Sequence, residues 1–87
     1  MTYALDINKH TDRIFSKLAR KDRKRLEIID NKIKEILENP QRFKPLRGYM
    51  HGSRRVHIDS SFVLVYEIDE KAKVVRIIDF DHHDSVY

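Results

Sequence analysis

Tyr3, Leu5 and Ile7 alternate with Ala4 and Asp6, the two-residue period of a half-buried strand. From about Lys9 the period lengthens. His10, Ile14 and Leu18 recur every fourth residue with Phe15 beside them, which predicts a helix with a single apolar stripe. Lys21 and Asp22 make a tight break before a second, longer helix, whose expected buried face is Leu26, Ile29, Ile33, Ile36 and Leu37. Asn39 and Pro40 end it, because the residue before a proline is pushed out of the helical region. Two amphipathic helices separated by so short a break are expected to fold back as an antiparallel hairpin.

After Pro40 the period becomes alternating. Residues 41–52 form a basic connector holding Pro45, Gly48 and Gly52, with a short strand expected around residues 46–50. In residues 54–59, Val56 and Ile58 point one way and Arg55, His57 and Asp59 the other. Ser60 and Ser61 supply a turn, and FVLVYEI (residues 62–68) is a nearly continuous apolar run suited to a central strand, with Tyr66 in the core. Asp69, Glu70 and Lys71 turn the chain again, and VVRIIDF (residues 74–80) is the last strand. The order strand, helix, helix, strand, strand, strand predicts an α+β fold: a mostly antiparallel sheet packed by a helical hairpin. Neither a repeat nor a low-complexity linker interrupts it.

Eighty-seven residues are expected to make one domain over 1–87, since a second could not bury its own core. Hydrophobic residues are 40% of the chain and charged residues 37%, so that core must be small and well packed. With no cysteine, disulfide staples, thiolate zinc sites and cysteine nucleophiles are all excluded. The opening MTYALDI lacks the layout of a signal peptide and no apolar run approaches about 18 residues, so a cytoplasmic protein without membrane contact is expected.

Charge changes the picture through its placement. The formal net charge is +4, and residues 39–58 contain no acid while holding Arg42, Lys44, Arg47, Arg54 and Arg55. From residue 59 onward seven acids face three bases. A run of cations is often only a solvated surface, but one this long without a compensating acid points to an anionic partner. Four of the five histidines (His51, His57, His82 and His83) follow the second helix. Imidazole suits proton transfer near neutral pH, and the spacing of Arg55 and His57 puts a guanidinium and an imidazole on one strand face. Cleaving RNA without a metal needs a base for the 2′-OH, an acid for the leaving 5′ oxygen and cations for the phosphorane charge. The plain alternative for His57 is an exposed sheet histidine.

Asp79, Asp81 and His83 alternate onto one face of the tail and could suit a divalent ion, but the basic block nearby disfavours one. No metal and no cofactor are expected. His10 belongs to the apolar stripe of its helix, where an edge or partner-facing role is expected. Tyr87 either docks the end of the chain or stacks on a nucleobase.

The connector NPQRFKPLRG, the strands RRVHID and FVLVYEID and the closing VVRIIDFDHHDSVY, in this order after a strand and a helical hairpin, resemble the RelE superfamily of bacterial and archaeal toxins. The likeness spans essentially the whole chain and is nearest to the YafQ branch. It implies a microbial-ribonuclease-like fold, a toxin of a type II toxin–antitoxin system, and endoribonuclease cleavage of mRNA in the ribosomal A site, which inhibits translation. It also implies a cognate, RelB-like antitoxin as partner beside mRNA and the ribosome.

Carried over onto this chain, His57 matches the strand histidine, His83 the one near the C-terminus and Tyr87 the final aromatic, while Lys44 stands where YafQ has a histidine. Arg55 and His57 take the places of two catalytic lysines of RelE. Val63 replaces an arginine of RelE and Ser61 an aspartate of YafQ, which leaves transition-state charge to Arg55, Arg54, Lys44 or Arg47. The expected site is therefore His57, His83, Arg55 and Tyr87 for catalysis, with Lys44, Arg47 and Arg54 binding RNA. ParE-type members, which share the scaffold but bind DNA gyrase, are the alternative, and a non-catalytic RNA-binding module is a third.

Overall fold

The alternating opening becomes strand β1 (Ala4–Ile7), and Asn8 converts it into a helix. Its side-chain oxygen accepts from the Thr11 amide at 2.9 Å, filling one of the orphan donors of the first turn. Helix α1 (Lys9–Lys21) follows, then Asp22, which both ends α1 and caps α2 (Arg23–Glu38) by accepting from the Arg25 amide at 3.1 Å. One residue therefore serves as the whole hairpin joint. A 3-10 turn (Pro40–Arg42) leads into the connector, and the chain returns as β2 (Ser53–Ile58), β3 (Phe62–Asp69) and β4 (Val74–His82). The computed structural model describes residues 3–43 and 52–82. The short strand expected at 46–50 lies outside them.

The described strands form one sheet in the order β1-β4-β3-β2. Short turns make β2, β3 and β4 antiparallel, whereas β1 runs parallel to β4 with Leu5 opposite Val75 and Ile7 opposite Ile77. No hairpin joins β1 to its neighbour, so connectivity leaves its direction open, and alternation within β1 could not reveal it. Helix and sheet meet in one core: Phe15 from α1, Ile29, Ile33 and Ile36 from α2, and Val56, Ile58, Leu64, Tyr66, Val75, Ile77 and Phe80 from one sheet face.

Two local expectations change. His10 is exposed, and the buried positions of α1 are Thr11 and Phe15, with Ile14 and Leu18 half-buried beside them. The apolar stripe is thus turned away from His10, whose ring nitrogen lies 3.2 Å from the Asp79 carboxylate. Asp59 does not extend the alternation of β2; it sits in the turn with φ of 48° and accepts from the Ser61 amide at 3.0 Å. That amide, followed by the nearby Arg25 guanidinium, holds its carboxyl below the usual range against a partial desolvation effect.

Candidate functional site

The face of the sheet turned away from the helices carries the candidate chemistry. On β2, Val56 and Ile58 enter the core, so Arg55 and His57 stand on the other side, His57 exposed and Arg55 half-buried. Their neighbours across the ladder are Val65 and Val63, both fully buried, which with Ile78 form a second, small apolar cluster. On β4 the register continues the His57–Val63 row to Asp81. Two residues of strand separate Arg55 from His57 by about 7 Å, and two strand spacings separate His57 from Asp81 by about 10 Å. A guanidinium and an imidazole at that spacing can flank one phosphodiester, and an apolar floor beneath them excludes water from one side, where charge interactions strengthen.

A bulge shapes this face. The β3–β4 register shifts between Val65 and Tyr66, opposite the extra residue Ile78. Asn8 consumes the exposed edge there: its backbone amide donates to the Ile77 carbonyl at 3.1 Å and its side-chain amide to the Ile78 carbonyl at 2.8 Å. The residue that starts α1 therefore also closes the edge of β4 where β1 stops.

Arg54, next to Arg55, does something else. It falls on the helix side of β2, and its guanidinium donates to the carbonyls of Phe43 at 2.7 Å and Gln41 at 3.3 Å. Tyr66, paired with Arg54 in the ladder, donates its hydroxyl to the Pro40 carbonyl at 2.5 Å. Gln41 in turn donates to Glu70, which also accepts from the Tyr3 hydroxyl at 2.7 Å. The Tyr3 bond is the chief reason the Glu70 carboxyl lies below its ordinary range. The start of the basic connector is thus pinned from three sides, one residue before Lys44. Lys44, Arg47, His83 and Tyr87 all lie outside the described residues.

One cation gathers several carboxylates of the sheet. Arg76 reaches Asp6 at 3.1 Å, Glu67 at 3.5 Å and Asp69 at 4.0 Å, and the first two bonds push its ionisation further up. His82 belongs with the helix side, edge-on to Phe62 at 5.5 Å, so it does not join His57. Among the described residues no group of three or more His, Asp or Glu side chains is gathered for a metal ion, and no helix is long and apolar enough to cross a membrane. Sequence reading missed Asp81, considered only as a metal ligand; its register opposite Val63 depends on the bulge, which has no local signature. It also passed over the cations of α1, which spacing alone could have found.

A helical pair on one face of a mixed sheet is the architecture of small toxin domains of known structure. The toxin of the Mycobacterium tuberculosis RelBE2 toxin–antitoxin complex has a similar fold, with a TM-score of 0.79 at 24% identity over 95% of this chain and all of that one. The intact Escherichia coli RelBE toxin–antitoxin complex gives a TM-score of 0.73 at 30% identity, over 90% of this chain and 93% of that one. YafQ of Escherichia coli gives 0.74 at 18% identity over 98% of each chain. By sequence, a protein of Methanocaldococcus jannaschii named as a candidate toxin, RelE4, is 46% identical over 98% of this chain and 90% of its own. A protein of Methanosarcina mazei without an assigned role is 52% identical over 98% of this chain and 99% of its own. The profile described as "ParE toxin of type II toxin-antitoxin system, parDE" matches residues 3–87. The chain belongs to the RelE/ParE superfamily of type II toxin–antitoxin toxins.

Proposed function

We propose that this toxin is an endoribonuclease that cleaves mRNA in the ribosomal A site by metal-independent transesterification. The observation that carries the reading is the pair Arg55 and His57 on the open sheet face, above the buried Val63 and Val65. One of His57 and His83 removes the 2′-OH proton, and its oxygen attacks the phosphorus. The other protonates the departing 5′ oxygen. Arg55 with Lys44 or Arg47 stabilises the phosphorane charge, and Tyr87 orients the nucleotide. Arg54, expected to bind RNA, serves this site by holding the Phe43 carbonyl and so the start of the connector that carries Lys44. A RelB-like antitoxin silences the toxin; relatives of this fold have been solved with such partners, among them the YoeB–YefM complex of Staphylococcus aureus. The protein works in the cytoplasm as one domain, without a cofactor.

General acid–base groups contribute about 10² to 10⁴ in rate, so His57→Ala and His83→Ala should each lower single-turnover cleavage by that factor. RNA affinity should change far less. Both variants cleaving at the parent rate would remove the two-histidine scheme. The match to the ParE profile favours one second reading, in which the toxin binds DNA gyrase and cuts no RNA. Gyrase-dependent DNA breaks with intact mRNA would establish it.

A further inference from the structure

The two histidines proposed for acid–base work belong to different ends of the sheet, and one side chain neighbours both ends. Phe62 opens β3, where it lies opposite Ile58 of β2 and opposite His82 of β4. His57 precedes Ile58 in the chain, and His83 follows His82. Both pairings are the last of their ladders among the described residues, so side chains have to fix the end of β2 against the end of β4.

Those side chains form a cluster around one ring. Phe62 stacks on Phe80 with ring centres 5.2 Å apart and planes 8° from parallel, and the His82 imidazole meets Phe62 edge-on at 5.5 Å. Phe80 is buried and touches Phe15 of α1 edge-on at 6.0 Å, which roots the cluster in the core. Arg25, the third residue of α2, reaches the same ring from the helix layer, with its guanidinium carbon 4.5 Å from the Phe62 centre. That guanidinium also lies 2.8 Å from Asp22 and 3.3 Å from Asp59. Asp22 is the hairpin joint, and Asp59 sits in the turn that follows β2.

A single planar cation thus ties the helical hairpin to the turn after β2 and to the first ring of β3. Only a guanidinium offers a fork for two carboxylates together with a flat face for a ring; an ammonium is a point charge. Capping α2 does not require the side chain, because Asp22 accepts from the Arg25 backbone amide whatever residue stands there. What the side chain adds is a tether to the rim of the sheet, beside the residues that adjoin His57 and His83.

We propose that Arg25 is a positioning residue for RNA cleavage. Acting through Phe62, it sets the end of β2 against the end of β4 and so the separation of His57 from His83. This inference rests on the reading of the protein as a two-histidine ribonuclease. A base and an acid that serve one phosphorus must keep a fixed spacing, and a displacement of about 1 Å can cost about 10² in rate.

The test follows single-turnover mRNA cleavage on ribosomes by the whole chain carrying Arg25→Gln. The rate at saturating ribosome concentration should fall by about 10 to 10², with the half-saturating concentration within about two-fold of the parent. Arg25→Lys should recover part of the rate, since the charge returns without the fork. Phe62→Leu should match Arg25→Gln, and the two together should lose no more than either alone, as expected of residues that act as a unit. A merely structural residue would cost the same factor in any background. In His57→Ala, by contrast, Arg25→Gln should cost about two-fold or less, because the spacing it sets no longer serves the reaction. Should Arg25→Gln fail to fold, Arg25→Lys and Phe62→Leu complete the same cycle. NMR reads the placing without RNA: Arg25→Gln should shift the backbone amides of Ile58 and His82 together and leave those of Val65 and Val75 unmoved. Parent-like cleavage by Arg25→Gln, an equal loss in the His57→Ala background, or unmoved amides at Ile58 and His82 would overturn the proposal. A parent that cuts no RNA would remove the nuclease and this role with it, whereas a cutting parent indifferent to Arg25 would remove the role alone.

Discussion

Tyr66 is fully buried, and burial pushes its hydroxyl up to about 12 from an ordinary 10.0. The unfolded chain therefore ionises this group first. Stability that is whole below pH 10 should fall as pH rises toward 12, by at most about 3 kcal/mol from this residue. Tyr66→Phe should lack that alkaline component and at pH 7 should be less stable by about 1 to 3 kcal/mol, because the Pro40 carbonyl loses its donor. Denaturant unfolding at pH 7 and pH 11 measures both effects; parallel pH profiles for parent and variant would contradict the assignment. Neighbouring arginines should separate just as clearly. Arg54→Ala removes two bonds to backbone carbonyls and should lower stability by about 1 to 2 kcal/mol. Arg55→Ala should lower cleavage. Thermal unfolding beside a cleavage assay distinguishes them. Alternation along β2 had already put Arg55 with His57; what it could not show was that Arg54 is occupied, since Phe43 and Gln41 reach it only through the 3-10 turn.

At the scale of elements, α1 contains a group out of place. Among the described residues the buried Thr11 hydroxyl has no hydrogen-bond partner, although the Thr11 amide is held by the Asn8 cap. Thr11→Val keeps the shape and removes the unsatisfied oxygen, so it should raise stability by about 1 kcal/mol, readable as a higher unfolding midpoint at unchanged denaturant slope. A lower midpoint would mean that the hydroxyl has a partner after all. The same helix marks how far periodicity carries. Both helices, the short break between them and the three C-terminal strands follow from the spacing of apolar residues, because burial on one face imposes that spacing; the break is Asp22 alone, since α1 runs through Lys21. His10 shares the spacing of Ile14 and Leu18 but lies outside the true stripe, since Thr11, a polar residue, occupies the buried position. The parallel pairing of β1 depends on contacts about 70 residues apart, which no local pattern encodes, and the bulge at Ile78 in the β3–β4 ladder leaves no mark on the apolar run.

For the whole molecule, the folded chain sorts its charge onto two sides that look continuous in the linear sequence. The helical hairpin shows Lys9 to Lys24 outward, whereas the opposite sheet face shows Arg55 and His57 over Val63 and Val65. Arg55 and His57 are placed by strand parity alone; His83, Tyr87, Lys44 and Arg47 are proposed for the site from family likeness and charge, and lie outside the described residues. A nuclease on this surface leaves its chemistry in the ends of the RNA that it cuts. Parent protein and His57→Ala should be added to ribosomes translating a defined mRNA, with the ribosome's magnesium kept, and the new ends mapped and chemically typed. Internal cuts by the parent should bear a 5′-hydroxyl and a 2′,3′-cyclic or 3′-phosphate, and should be reduced by about 10² to 10⁴ in the variant. Uncut mRNA, or cuts bearing a 5′-phosphate, would contradict it.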